Sequence, residues 1–177
     1  MSRENEHVQM RGLPATAGAP APQAWEGAQP PEGRVGIPNA ERARALLEAP
    51  PAGWMETLGA RITEAGSGRV VLELIAGPEH RHGGGVVQGG VITQIADAAM
   101  GMSLATLQPD GMWNTTIELK INFFRPAIQG RLRAVGRVID MRQTLLFSEA
   151  DVFDEQDRLV ARASSTCMPV PEGQGRE

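Results

Sequence analysis

Between Gly83 and Pro109 the chain carries a single charged side chain, Asp97. The rest of GGGVVQGGVITQIADAAMGMSLATLQP is glycine, small, apolar or uncharged polar. From Gly89 to about Leu107 the stretch is too long and too rich in Ala and Met for a strand. It is apolar on nearly every helical face. Such a helix must be enclosed by the rest of the chain. A membrane span needs about 20 apolar residues, and the glycines, Gln94 and Asp97 argue for burial inside a domain instead.

The flanking sequence supplies material to enclose it. WMETLGARITEAGSGRVVLELIAG, from Trp54 to Gly77, reads as two strands joined at Ala65-Gly66-Ser67-Gly68. Beyond Pro109 four more strands follow. In the first, Ile117, Leu119, Ile121 and Phe123 alternate with Thr116, Glu118, Lys120 and Asn122, which predicts one apolar face. The second, GRLRAVGRVIDMR, places Leu132, Ala134, Gly136 and Val138 together. TLLFSEADVFD and RLVARASSTCMPV form a hairpin across the turn DEQD, with Glu149 and Asp151 available to Arg158 and Arg162. Strands clustered around one helix predict an α+β domain, in which a curved antiparallel sheet wraps a long buried helix.

Ahead of this, PNAERARALLEAPP reads as a short helix capped by Asn39 and stopped by Pro50-Pro51, with Leu46 and Leu47 facing the body. Residues 1–37 are rich in Pro, Ala and Gly and are expected to be a disordered tail. Residues 38–171 form one domain and 172–177 a frayed end. The net charge is −4 with both signs interspersed, which points away from nucleic acid and anionic membranes. The N-terminus has charges where a signal peptide needs an apolar run. The lone cysteine, Cys167, excludes an intrachain disulfide. A cytoplasmic location is expected.

Two features carry chemistry. Gly83-Gly84-Gly85 and Gly89-Gly90 flank the start of the long helix, where unpaired backbone N–H groups and the positive dipole end stabilise a developing oxyanion. No Lys-Ser/Thr pair follows, so a phosphate loop does not fit. Asp97 lies two turns in, where an unpaired buried carboxylate is costly. It is either a structural side chain bonded to its own helix, or a nucleophile or general base facing a cleft. Glu79, His80 and His82 lack a distant third ligand, so no metal is expected. No GxSxG elbow supports a serine triad.

From about Gly53 to Val170 the chain resembles the hotdog-fold acyl-CoA thioesterases, of the phenylacetate-degradation and 4-hydroxybenzoyl-CoA types. The likeness rests on GGGVVQGGVITQIADAAMG, TTIELKINFFRPA, GRLRAVGRVID and DRLVARASST. The family's helix starts with histidine-glycine-glycine, with an acid nine positions after the histidine. Here those positions hold Gln88, Gly89, Gly90 and Asp97. An amide residue often stands six before the histidine, where this chain has His82. A Ser or Thr near the start of the next strand matches Thr115.

The resemblance implies hydrolysis of an acyl-CoA, with no cofactor beyond the CoA of the substrate. It also implies a homodimer or dimer of dimers with sites at the interface. The thioester carbonyl would meet the Gly89 N–H, with Gly90 beside it. Asp97 would attack or activate water, His82 or Gln88 would orient the reactants, and Thr115 would hold the water or Asp97. Arg125, Arg142 and Arg81 are candidates for the CoA phosphates, and Met100, Met102 and Leu104 for the acyl pocket. Gln88 in place of histidine leaves two alternatives: a hotdog protein that binds acyl-CoA without hydrolysing it, and a hydratase built on His82 and Asp97.

Overall fold

A computed structural model describes residues 38–172. The tail read at residues 1–37 lies outside the described residues, as do residues 173–177 of the C-terminal end. The order of elements is α1 (Ala40–Glu48), α2 (Gly53–Leu58), β1 (Ala60–Gly66), β2 (Arg69–Ala76), α3 (Gly89–Ala105), β3 (Met112–Phe123), β4 (Gly130–Met141), β5 (Leu146–Phe153) and β6 (Leu159–Pro171). The six strands form one sheet in the order β1-β2-β4-β5-β6-β3, and every pairing is antiparallel. The long helix packs against it, as the α+β reading requires. Among the described residues no helix is long and apolar enough to cross a membrane.

Asn39 caps α1 by accepting the Arg42 N–H at 2.9 Å. Ala43 is the buried residue of that helix; Leu46 packs on the core while Leu47 stays exposed. The segment from Trp54 to Leu58 is helical, not the start of a strand as the pattern suggested. Trp54, Met55 and Leu58 lie on one face of a short helix and pack on the core. Gly59, at φ 67°, ends it with the left-handed conformation glycine tolerates.

α3 lies on the sheet through Ile92, Ile95, Ala96, Ala99, Met100 and Leu104, all buried. It sits closest at β4. A Cβ on Gly136 would run into the Ala99 carbonyl and lie 2.8 Å from Met100 N. Glycine at that point lets the helix backbone rest directly on the strand. The helix is not enclosed all round, however. Thr93, Gln94, Asp97, Ala98, Gly101 and Met102 form a stripe that stays half-exposed or exposed. Their spacing of three and four marks one flank of the helix that six strands leave open.

The predicted apolar face of β3 holds only in part. A bulge falls between Thr116 and Glu118, leaving Ile117 unpaired with β6. Ahead of it Asn114 and Thr116 face the helix; after it Leu119 and Ile121 do. Ile117 is therefore turned out and is 57% exposed. The β4 face is as read, with Leu132, Ala134 and Gly136 buried and Val138 packed on the core. In the β5–β6 hairpin Arg162 makes two bonds to Asp151, at 2.6 and 3.0 Å. Glu149 pairs instead with Arg137 on β4, and Arg158 with Asp154 in the turn.

Candidate active site

The helix start and the carboxylate open into two different clefts. The first, about 320 Å³, is lined by Val86, Val87, Gly89, Ile92 and the Phe123–Ala127 segment. The Gly89 and Gly90 N–H groups have no acceptor among the described residues, as expected of a first helical turn. Gln88 holds the N-cap position without a side-chain cap bond, and its own N–H donates to the His80 carbonyl at 2.8 Å. Phe123 lies over Gly89, 3.2 Å from where a Cβ would sit. Arg125 lines the same cleft, and its Nη1 donates to the Leu159 carbonyl at 2.7 Å.

The second cleft, about 290 Å³, lies along the open flank of α3. It is lined by Trp54, Gln94, Asp97, Ala98, Gly101, Met102, Trp113, Asn114 and Thr116. Among the described residues Asp97 is its only ionisable lining residue. Thr116 Oγ1 donates to Asp97 Oδ1 at 3.0 Å. This bond depends on the bulge, which keeps Thr116 on the helix side while the strand beyond changes parity. Asp97 is thus not bonded to its own helix; Thr93 donates to the Gly89 carbonyl instead. Beside it Asn114 Nδ2 bridges the Gly101 carbonyl at 2.9 Å and Gln108 Oε1 at 3.0 Å, which fixes the floor of the cleft.

The expected site residues divide accordingly. Gly89 and Arg125 share the first cleft, and Gly90 adjoins it in the first turn. Asp97 lies in the second. Thr115 is exposed and is not the hydroxyl beside Asp97; alternation along β3 turns it to the opposite face, and Thr116 takes that place. His82 and Gln88 are exposed and line neither cleft. His82 accepts the Gly84 N–H at its Nδ1, 2.9 Å away, within a glycine turn. Within one protomer His82 and Asp97 therefore do not form a pair.

The buried histidine is His80. Its Nδ1 accepts from Gly77 N–H and its Nε2 donates to the Leu58 carbonyl at 3.0 Å, tying the loop to α2. Met100 and Leu104 are fully buried, and of the three expected pocket residues only Met102 lines the Asp97 cleft. Arg142 is paired with Asp140, and Arg81 donates to Gln129. Trp54, Trp113 and Asn114 enter the cleft unforeseen, since α2 was read as strand and the bulge leaves no mark in the sequence.

A long helix packed on a six-stranded antiparallel sheet is the hotdog arrangement. The comparisons agree. The thioesterase superfamily profile matches residues 84–161. A Saccharolobus solfataricus protein named as an esterase is 32% identical over 106 residues, covering 60% of this chain and 75% of that protein. The PaaI protein of the E. coli phenylacetic acid degradation operon superposes with a TM-score of 0.67 at 20% identity, over 75% of this chain and 93% of that one, a likeness of fold. A thioesterase family protein from Silicibacter pomeroyi gives 0.68 at 27% identity, over 75% and 98%. The chain belongs to the thioesterase superfamily.

Proposed function

We propose that the protein hydrolyses acyl-CoA thioesters as a homodimer, each active site joining the Gly89 cleft of one protomer to the Asp97 cleft of its partner. The observation that carries this is the place of the two clefts on β3. Thr116 marks one near the start of the strand and Phe123 the other at its end. The reacting groups themselves, the Gly89 N–H and Asp97, stand eight residues apart on α3, about 12 Å along its axis, too far for one thioester carbonyl to meet both. Among the described residues β3 is one of the two edges of the sheet, and Ile117, Phe123 and, just past its end, Phe124 are half exposed or more. Antiparallel pairing with the same strand of a second copy, centred near Leu119 and Lys120, sets Thr116 of one chain opposite Phe123 of the other. The two half-sites then meet twice per dimer.

In the joined site the thioester carbonyl accepts from the Gly89 N–H at the positive end of α3, where charge developing on oxygen is stabilised. Thr116 holds Asp97 Oδ1, leaving Oδ2 to attack the carbonyl or to take a proton from the attacking water. Either way one water is consumed: its oxygen enters the free acid, directly or by hydrolysing an Asp97–acyl anhydride, and a proton from it ends on the departing CoA thiol. Arg125, exposed and lining the Gly89 cleft, would meet a CoA phosphate. Gln88, exposed beside the helix start, is available to orient the thioester. The acyl group takes the cleft between Trp54, Met102 and Trp113.

The test is thiol release from a panel of acyl-CoAs, followed with a thiol-reactive dye. Asp97→Asn, with sedimentation unchanged, is expected to lower kcat by about 10² or more. Binding of acyl-CoA without thiol release would refute the reading and favour a non-hydrolysing acyl-CoA-binding protein.

A further inference from the structure

A line of hydrogen-bonding side chains, buried at Ser148, Ser165 and Cys167, crosses the helix-facing side of the sheet and reaches Asp97 through the exposed Thr116. Ser148 on β5 and Ser165 on β6 are buried and stand opposite each other, with Oγ atoms 2.9 Å apart. Ser165 Oγ lies 3.7 Å from Cys167 Sγ. Cys167, fully buried, donates its S–H to Thr116 Oγ1 at 3.8 Å. Thr116 donates to Asp97 at 3.0 Å. The line runs between two parts of the core. On β5 and β6, Ala150 and Ala163 belong to the larger apolar cluster, and Leu146 and Cys167 to the smaller one. Hydroxyls stand where apolar side chains would fill the seam at no cost in desolvation.

The direction of the line follows from donor bookkeeping. A carboxylate only accepts, so Thr116 must donate to it. Thr116 oxygen then accepts, and Cys167 S–H supplies the proton. The sulfur in turn accepts from Ser165, and Ser165 oxygen from Ser148. Every donor points toward Asp97, the arrangement in which successive dipoles polarise one another. Burial raises the Cys167 thiol above its ordinary range, and the Asp97 charge pushes the same way, so the sulfur keeps its proton and remains a donor at neutral pH. Among the described residues no other charge lines the cleft: Glu118 and Lys120 on β3 and Glu56 on α2 are exposed and outside its lining, and Arg162 on β6 is committed to Asp151.

We propose that Cys167, backed by Ser165 and Ser148, is a positioning residue that orients the Thr116 hydroxyl and through it the reactive carboxylate. This rests on the role given above to Asp97. The protein has one cysteine, so its infrared spectrum has one S–H stretching band, which Cys167→Ala assigns by removing it. In the full chain that band is expected at lower wavenumber than an unbonded thiol, and Thr116→Val is expected to move it up. In thioester turnover, Cys167→Ala is expected to lower kcat about fivefold with KM unchanged, the factor of one ordinary hydrogen bond. Cys167→Ser, which keeps a donor at the same place, is expected to stay within about twofold of wild type. A band at the free-thiol position that ignores Thr116→Val overturns the proposal, as does a Cys167→Ser variant as impaired as Cys167→Ala. If the wild-type chain releases no thiol from any acyl-CoA, the proposed function falls while the infrared measurement still decides the bonding of the line.

Discussion

Gly136 sets how closely α3 rests on the sheet, and Gly136→Ala measures what that closeness is worth. The added methyl would lie 2.8 Å from Met100 N, whereas ordinary contact begins at 3.4 Å. The helix must therefore retreat by at least about 0.6 Å from this atom alone, and further from the nearer Ala99 carbonyl. Both obstacles are backbone, so no side-chain rotation relieves them. Overpacking of this kind costs about 3 kcal/mol, the upper end of its usual range. For a domain of this size that lowers Tm by roughly 10 °C. The loss also reaches the site. Asp97 lies two residues before Ala99, and its bond to Thr116 is 3.0 Å long. Displacing the helix at β4 shifts Asp97 relative to Thr116 on β3, three strands away, and disturbs this bond. A misplacement near 1 Å costs up to about 10² in rate, so kcat is expected to fall at least tenfold at a temperature where the variant is folded. Thermal melts and thiol-release rates are compared with Gly66→Ala, whose methyl meets open space. A Gly136→Ala protein that melts within about 2 °C of wild type and turns over normally would refute the reasoning.

Gly89→Ala is a milder test of the helix start, because the new methyl would lie 3.2 Å from the end of the Phe123 ring. It is expected to lower kcat/KM, and Phe123→Leu in the same chain to restore most of the loss; a double variant no better than the single one would show that the ring is not the obstacle. The raised Cys167 thiol gives a stability change with a definite sign. Its contribution is fully present below the unfolded thiol value near pH 8.5 and is lost as pH rises through the higher folded value. Denaturant unfolding is expected to show stability falling as pH rises above about 8.5, and Cys167→Ala to flatten that slope; equal slopes in both proteins would refute it.

What could be read from the sequence, and what could not, follows the range of the signals. α3 was legible because seventeen residues with one charge admit few other readings. The sheet was legible because period-two alternation is local. Asn39 announced its helix because a cap bond spans three residues. α2 was missed because six residues give too little periodicity to separate a turn of helix from a strand. The choice of Thr115 over Thr116 failed for another reason. Two adjacent threonines point to opposite faces, and only the register of β3 against β6, bulge included, decides which meets the helix.

The open flank of α3 resolves the oddity of its one carboxylate. Had six strands enclosed the helix, Asp97 would have needed a buried partner or a proton. Instead the sheet ends at β3, and Asp97 lies just inside that edge under the Thr116 hydroxyl. The bulge that turns Ile117 out to the edge also keeps Thr116 in over the carboxylate. One irregularity thus does two things: it sets an apolar side chain where a second copy would pair, and it aims a donor at the acid that pairing would bring into use. Were the strand paired without a bulge, in the register it has beyond Glu118, Ile117 would lie over Asp97 and the carboxylate would face a methyl group. Selection for the half-site and selection for the edge would therefore act on the same few residues of β3.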